Sequence, residues 1–411
     1  MITRRDFMVS GITAAGVGII VPPVFAKSVF AATAEHIHND RVLVILQLGG
    51  GNDGLNTVIP YADPAYLQSR PTIGIPASNV LPLNAEVGLN PVMPSIKALY
   101  EAGEVAIVQG VGYANPVYSH FEGLYIWEHA DPSMQQTEGW LGTLLASQLD
   151  GQGHPLTGCA LGQVSAPAEL LAQNATVSVI ESIPTYQVLG GAGRKVAAPA
   201  LYRTTPGVYG MLFDEALSTA EHGIAALAGS QSRYTPAVSY TPTNTAHGSK
   251  TSLAASLQLT AEMIVTQPSV KICHVVLDGF DTHQDETTRQ NALLSSVDSA
   301  VSAFMQDIAA HGMADRVVLM TWSEFGRRVV ENGGNGTDHG AAAPIFVVGK
   351  PVHGGILGEQ PSLTATVDSG NLKYTVDFRS VYQTLIRDWL QADPTSVLGA
   401  SFPELPLIRT A

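Results

Sequence analysis

The sequence predicts an α/β fold built on a parallel sheet, and three observations predict it. Short apolar runs at residues 42–48, 272–277 and 317–320 are bounded by polar or glycine-rich residues, which marks them as buried strands. A helical pattern at 292–310 separates the second run from the third. Strand, helix and strand at that spacing form a βαβ unit, and hence a parallel pairing. Each of the three runs is followed at once by carboxylate or imidazole side chains, where open α/β sheets place their ligands.

Taken in order, the first strand runs into Gly49-Gly50-Gly51 and then Asp53. Residues 61–90, punctuated by Pro and Asn, read as irregular. A short helix is expected at 94–102, a strand at 105–109, and helices at 117–130 and 140–149. From 156 to about 193, short β-prone runs alternate with Gly and Pro, as in a partly β insertion or cap. An amphipathic helix is expected at 208–227. The Ser/Thr/Pro-rich stretch 229–248 reads as an exposed linker, so the insertion spans about 156–248. Helix 253–266 leads to the second strand, and the apolar stripe of Phe378, Val381, Leu385 and Trp389 marks a terminal helix at 377–390.

The side chains past the strand ends are the chemical content. The second strand is followed by Asp278, Asp281 and His283, and the third by Ser323 and Glu324. A Gly- and Asn-rich loop then carries Asp338 and His339 ahead of a further apolar run at 345–348. Oxygen and imidazole ligands converging on one sheet edge suit a divalent metal, which would neutralise them. Taken singly, each has a plainer role. Asp53 suits a glycine-rich turn, Asp338 a turn cap, His283 and His339 solvated loops, and Asp278 the support of a ligand histidine.

The chain has 411 residues, 45% of them hydrophobic and only 14% charged, which indicates a well-buried globular protein. A net charge of −14 with no cluster of Lys and Arg excludes a nucleic-acid binder. Anionic substrates remain open, because a bound cation reverses the local field. Cys159 and Cys273, the only cysteines, are no disulfide framework. The start, Thr3-Arg4-Arg5-Asp6-Phe7 followed by a modestly apolar stretch, reads as a twin-arginine export signal over residues 1–34. Cleavage after Ala34 or Ala26 would leave one domain, 35–411, with no stable membrane span and a periplasmic or extracellular address.

The motifs GGNDGLNT, GFDTHQ, SEFGR and TDHGAAAP, in this order behind such a leader, resemble the bacterial family called domain of unknown function 1501. The likeness extends from about residue 41 to DFRSVYQTLIRDWL near the end. That family is similar to the alkaline phosphatase-like superfamily of phosphatases, sulfatases and phosphoglycerate mutases. The resemblance implies an alkaline phosphatase-like doubly wound α/β/α sandwich with a mostly parallel central sheet and a two-metal site. Zinc, manganese, calcium and magnesium are not distinguished. Asp53 takes the place of the superfamily's first metal ligand, Asp278 or Asp281 with His283 that of a later pair, and His339 that of the last histidine. This chain departs from the pattern after the third strand, where Ser323-Glu324 stands in place of an Asp-His pair; Glu324 and Asp338 are the substitutes.

For the nucleophile the resemblance points to a helix start, which Ser119 fits, with Thr57 as the local rival. Ser119 also suits a helix cap, although the same place would bring the positive helix end to an anion. His120 is open between ligand, general acid and wall. Arg327, beside Glu324, suits either a clamp on a tetrahedral oxyanion or a helix-face salt bridge. The expectation is an exported metal-dependent hydrolase of small or polymer-borne phosphate or sulfate esters, delivered by the twin-arginine translocase. The rival is a non-catalytic exported binding or surface-assembly protein retaining a structural metal.

Overall fold

A computed structural model describes residues 18–19, 40–149, 154–186, 220–241, 251–368 and 370–409. The twin-arginine motif and both cleavage sites lie outside the described residues, as do 187–219 and 242–250 of the expected insertion. Among the described residues no helix is long and apolar enough to cross a membrane.

The strand that organises the molecule is β2 (Val42–Gly49), after a two-residue β1 (Gly18–Ile19). Every residue of β2 is buried, and its side chains alternate between two separate cores. Val42, Val44, Leu46 and Leu48 enter one; Leu43 and Ile45 enter the other. A strand read with period two, apolar on both sides, has to be covered on both faces. On one face lie α3 (Pro94–Glu101), α6 (Leu253–Thr266) and α7 (Glu286–Ala310), through Ile96, Leu257 and Phe304. On the other lie α4 (His120–His129), α5 (Trp140–Ser147) and α8 (Phe378–Thr384), through Trp127, Leu144 and Phe378. The result is an α/β/α sandwich.

Parallel to β2 and flanking it are β9 (Ile272–Asp278) and β10 (Val317–Trp322). Helix α7 links these two, as the spacing required, although its first turn begins earlier than the expected 292. Beyond β9 lie β7 (Gly158–Leu161) and β8 (Val177–Ile180), both parallel. These are β-prone runs of the expected insertion or cap, and they extend the central sheet. Beyond β10 lie β11 (Ala343–Val348), β6 (Val105–Gly112) and β12 (Gly355–Leu357). Strand β11 is antiparallel to β10, because the connection between them is a loop with no crossover helix. β6 and β12 are parallel to each other, so the sheet is largely parallel.

Three further differences from the expected elements have local causes. Residues 54–90 hold two short helices, α1 (Gly54–Thr57) and α2 (Pro64–Ser69), and a small antiparallel sheet of β3 (Val58–Ile59), β4 (Leu81–Pro82) and β5 (Gly88–Leu89). The chain stays extended at Ser119, so α4 starts later than expected. Within the expected linker, Tyr234 and Tyr240 both donate to Asp307 of α7, at 2.5 and 3.0 Å. One buried and one half-buried phenol bond on one carboxylate tie the described part of this stretch to α7, while Ser232, Thr235 and Ser239 within it are exposed as expected. Of the helix expected at 208–227, residues 220–227 are described and helical.

Candidate metal centre

The C-terminal ends of β9, β2 and β10 lie side by side, and the site is built on the loops leaving them. Gly50 and Gly51 turn the chain with φ of 115° and 79°, in the region that favours glycine. Space also demands them: a Cβ on Gly50 would lie 2.4 Å from the Asp281 nitrogen, and one on Gly51 2.4 Å from the Phe325 ring. Through these glycines the three loops come within hydrogen-bonding distance of one another.

Arg327 ties them together. It is 1% exposed, and donates from Nε to Gly51 O (2.7 Å), from Nη1 to Thr337 O (2.9 Å) and from Nη2 to Phe280 O (3.0 Å). The same Nη2 donates to Gly50 O and to Asp281 Oδ1, the latter at 2.7 Å. A guanidinium spent on four carbonyls and a carboxylate is not available to clamp a substrate. The oxyanion-clamp expectation for Arg327 is therefore corrected, and its ion pair is with Asp281.

Around Asp281 stand three histidines, each with its Nδ1 on an acceptor. His339 Nδ1 lies 2.7 Å from the Tyr118 carbonyl oxygen, His283 Nδ1 3.2 Å from Asp338 Oδ1 and His120 Nδ1 2.8 Å from Glu324 Oε1. A carbonyl or carboxylate only accepts, so each Nδ1 carries a proton, and a ring without a second proton turns a lone pair outward from Nε2. Those lone pairs converge. His339 Nε2 is 3.3 Å from Asp281 Oδ1 and 3.0 Å from His283 Nε2. His283 Nε2 is 3.1 Å and His120 Nε2 3.7 Å from the Asp281 carboxylate. Two ligands on one tetrahedral zinc would be about 3.3 Å apart, given Zn–N and Zn–O bonds of about 2.0–2.1 Å. The ligand atoms of His120, Asp281 and His339 all lie within 4.8 Å of one another, a group able to hold a metal ion.

The electrostatics favour a cation there. Lone pairs facing one another and a carboxylate repel unless a proton or a metal lies between them. Burial pushes the His339 pKa down, outweighing its bond to Tyr118, so this ring prefers the neutral form that ligates. Burial would raise Asp281, but the bond and charge of Arg327, then His283 and His120, hold its carboxyl below the ordinary range. The His120 pKa is raised, chiefly by the bond to Glu324. Glu324 is 2% exposed and accepts from Gly50 N at 2.9 and 3.1 Å. It aims His120, as Asp338 aims His283; the latter carboxylate also accepts from Asn332 at 3.1 Å. Such partners fix the ring tautomer and orientation of ligating histidines.

Four residues therefore form the centre and two support it, while other expected site residues are placed elsewhere. Asp53 is paired with Arg70 and caps α1 through Leu55 N at 3.2 Å; it does not join the cluster. Asp278 lies against Gly49 at the end of β9 and makes no bond to the cluster among the described residues. Thr57 is corrected as a nucleophile. It is 1% exposed, and its hydroxyl donates to Asp53 O (2.7 Å), lies 3.1 Å from Asn52 Oδ1 and accepts from Gln290 Nε2 (3.2 Å). Ser119 precedes α4, and its side chain makes no hydrogen bond to that helix. The phenyl ring of Phe325 walls the centre, 4.9 Å from the His120 ring and 4.5 Å from that of His339.

Sequence reasoning missed three participants. The Tyr118 carbonyl has no side-chain signal at all. Arg70 stands in a stretch read as irregular, and Glu286 opens α7, where an acidic residue is the ordinary helix start. Burial followed by the Asp53 charge pushes the Glu286 carboxyl up to about 9, so it is protonated beside an ionised Asp53.

Fold and site together define an α/β protein with a histidine–carboxylate centre at the C-terminal edge of a parallel sheet. Residues 213–389 match the protein-family model described as Protein of unknown function (DUF1501). That segment contains three of the four motifs, with GGNDGLNT outside it. No curated protein matches the chain. Among solved structures it is similar to the C-terminal periplasmic domain of EcEptC from Escherichia coli, with 11% identity over 90% of this chain and 89% of that one, and a TM-score of 0.41. It is also similar to the PsFucS1 sulfatase from Pseudoalteromonas sp. (12% identity, 84% and 67% covered, TM-score 0.36). A third likeness is to a protein in the alkaline phosphatase superfamily from Vibrio parahaemolyticus (11%, 87% and 72%, 0.37). The fold assignment rests on the sheet order and the two covered faces described above.

Proposed function

We propose that the chain is an exported, metal-dependent hydrolase of phosphate or sulfate esters. The observation that carries this reading is the convergence of the His120, His283 and His339 Nε2 atoms on Asp281, with every Nδ1 already committed. The donor set fits a divalent ion: nitrogen and oxygen only, with the tautomers fixed for ligation. Bound there, such an ion supplies positive charge against an oxyanion and acidifies a nearby hydroxyl or water.

The chain's own groups divide the remaining work. Ser119 offers a hydroxyl not used as a cap, immediately before His120. The free N–H groups at the start of α4 favour an anion at the same end. Glu324 and Asp338 hold two ligand rings in place, and Arg327 holds Asp281. Phe325 excludes water from one side of the His120 and His339 rings. The twin-arginine leader supports delivery by the translocase to the periplasm or exterior. One observation favours the non-catalytic alternative: Thr57 and Arg327, both expected in catalysis, are consumed in structural bonds.

Hydrolysis of aryl phosphate and aryl sulfate by the metal-loaded chain tests the reading, with Asp281→Asn and Ser119→Ala as controls. Turnover of either ester, lost in Asp281→Asn, is expected. A metal-loaded chain inert on both, or an active Asp281→Asn variant, would refute it.

A further inference from the structure

The two-metal site implied by the family resemblance does not fit the residues around Asp53. Arg70 is 0% exposed and Asp53 1%, and the guanidinium meets the carboxylate in a two-pronged pair: Nη2 to Oδ1 at 2.9 Å and Nη1 to Oδ2. Oδ1 further accepts from Leu55 N. The other Arg70 bonds go to backbone, from Nε to Val329 O and from Nη2 to Arg328 O, both at 2.9 Å. The arginine is thus held from both sides by the segment that also supplies Arg327. Glu286 completes the pocket, accepting from Thr337 Oγ1 at 2.6 Å and from Asn56 Nδ2 at 3.4 Å.

Two buried carboxyls, Asp53 and Glu286, are what a sequence would offer a second ion. Here the positive charge they call for is covalently part of the chain. A guanidinium stays protonated at any working pH, and its planar fork matches a carboxylate. A dication at Asp53 would have to displace Arg70, leaving that cation buried, unpaired and next to the incoming charge.

We infer that the centre is mononuclear: one ion at His120, Asp281 and His339, with His283 beside it and Arg70 standing permanently where a second would bind. The inference rests on the metal reading above and has its own test. The purified chain is equilibrated with Mn²⁺, freed of excess by gel filtration and assayed for metal by plasma mass spectrometry. One equivalent is expected in wild type and in Asp53→Asn, and close to none in His339→Ala. Should Asp53→Asn fail to fold, the double variant Asp53→Asn/Arg70→Gln removes both charges together and is expected to keep its one ion. Electron paramagnetic resonance of the Mn²⁺-loaded wild type needs no variant, and an isolated-ion signal is expected. Two equivalents, an exchange-coupled pair, or loss of an ion on changing Asp53 would overturn the inference and leave metal-dependent hydrolysis standing. No retained ion in wild type would overturn both.

Discussion

Glu128 lies on α4, two turns beyond His120, and its ionisation gives the fold a measurable pH dependence. Its Oε1 accepts from Ala168 N at 3.1 Å. Burial, then the charges of Glu169 and Glu324, push its carboxyl from the ordinary 4.5 up to about 8. Glu169 stays close because it is 0% exposed and paired with the equally buried His274 at 3.0 Å. The folded chain therefore keeps a proton on Glu128 that the unfolded chain releases. Between about pH 4.5 and about pH 8 the folded state binds more protons, so stability falls as pH rises through that window. The size of the shift, at about 1.4 kcal/mol per pKa unit, bounds the loss at roughly 5 kcal/mol. Partial exposure of the side chain brings the expectation to about 1–3 kcal/mol. Glu128→Gln keeps an acceptor for Ala168 N and removes the titration. Urea unfolding followed by circular dichroism should show variant and wild type close together near pH 5, with the variant more stable near pH 9 by that amount. Equal stabilities near pH 9, or a less stable variant there, would refute the reasoning.

Changes at the two hydroxyls should separate. Ser119→Ala is expected to abolish ester turnover with metal content intact. Thr57→Val should cost about 1 kcal/mol in urea unfolding, since it removes the hydroxyl's buried bonds to Asp53 O and Gln290, which keep their bond to each other, and leave metal content unchanged. Arg327→Met should cost about 1–3 kcal/mol by the same unfolding assay, because it strands the carbonyls of Gly51, Thr337 and Phe280, and should lower metal retention; Arg327→Lys should not restore it, since an ammonium cannot span four carbonyls and a carboxylate. Changing Arg4-Arg5 to Lys-Lys should hold the protein in the cytoplasm by cell fractionation, and unchanged export would contradict the twin-arginine reading.

The elements read most clearly were those whose pattern is local. Helix 253–266 has the same bounds in the structure, set by the Ser252 cap and a long apolar face. The three strands leading to the site were legible because full burial on both faces leaves an unbroken apolar run. The direction of β11 was not, since nothing within 343–348 records whether the chain arrives by a loop or a crossover. β7 and β8 were legible as β-prone runs but not as members of the central sheet, since four-residue strands at a sheet's flank resemble those of an insertion. At the candidate site, side chains past the strand ends pointed to Asp281, His283 and His339, which the structure brings together. They did not show which carboxylates face the ion and which face a histidine, because that depends on contacts hundreds of residues apart, such as Glu324 with His120. Arg70 illustrates the limit. An arginine after a short helix carries no sign that it will neutralise Asp53.

Anomalous scattering from crystals of protein produced in its own host shows most directly whether a metal sits on Asp281. A peak is expected about 2.0–2.2 Å from Nε2 of His120, Nε2 of His339 and a carboxylate oxygen of Asp281, with none beside Asp53. No peak at Asp281, or a peak ligated by Asp53 with Arg70 turned away, would contradict this expectation.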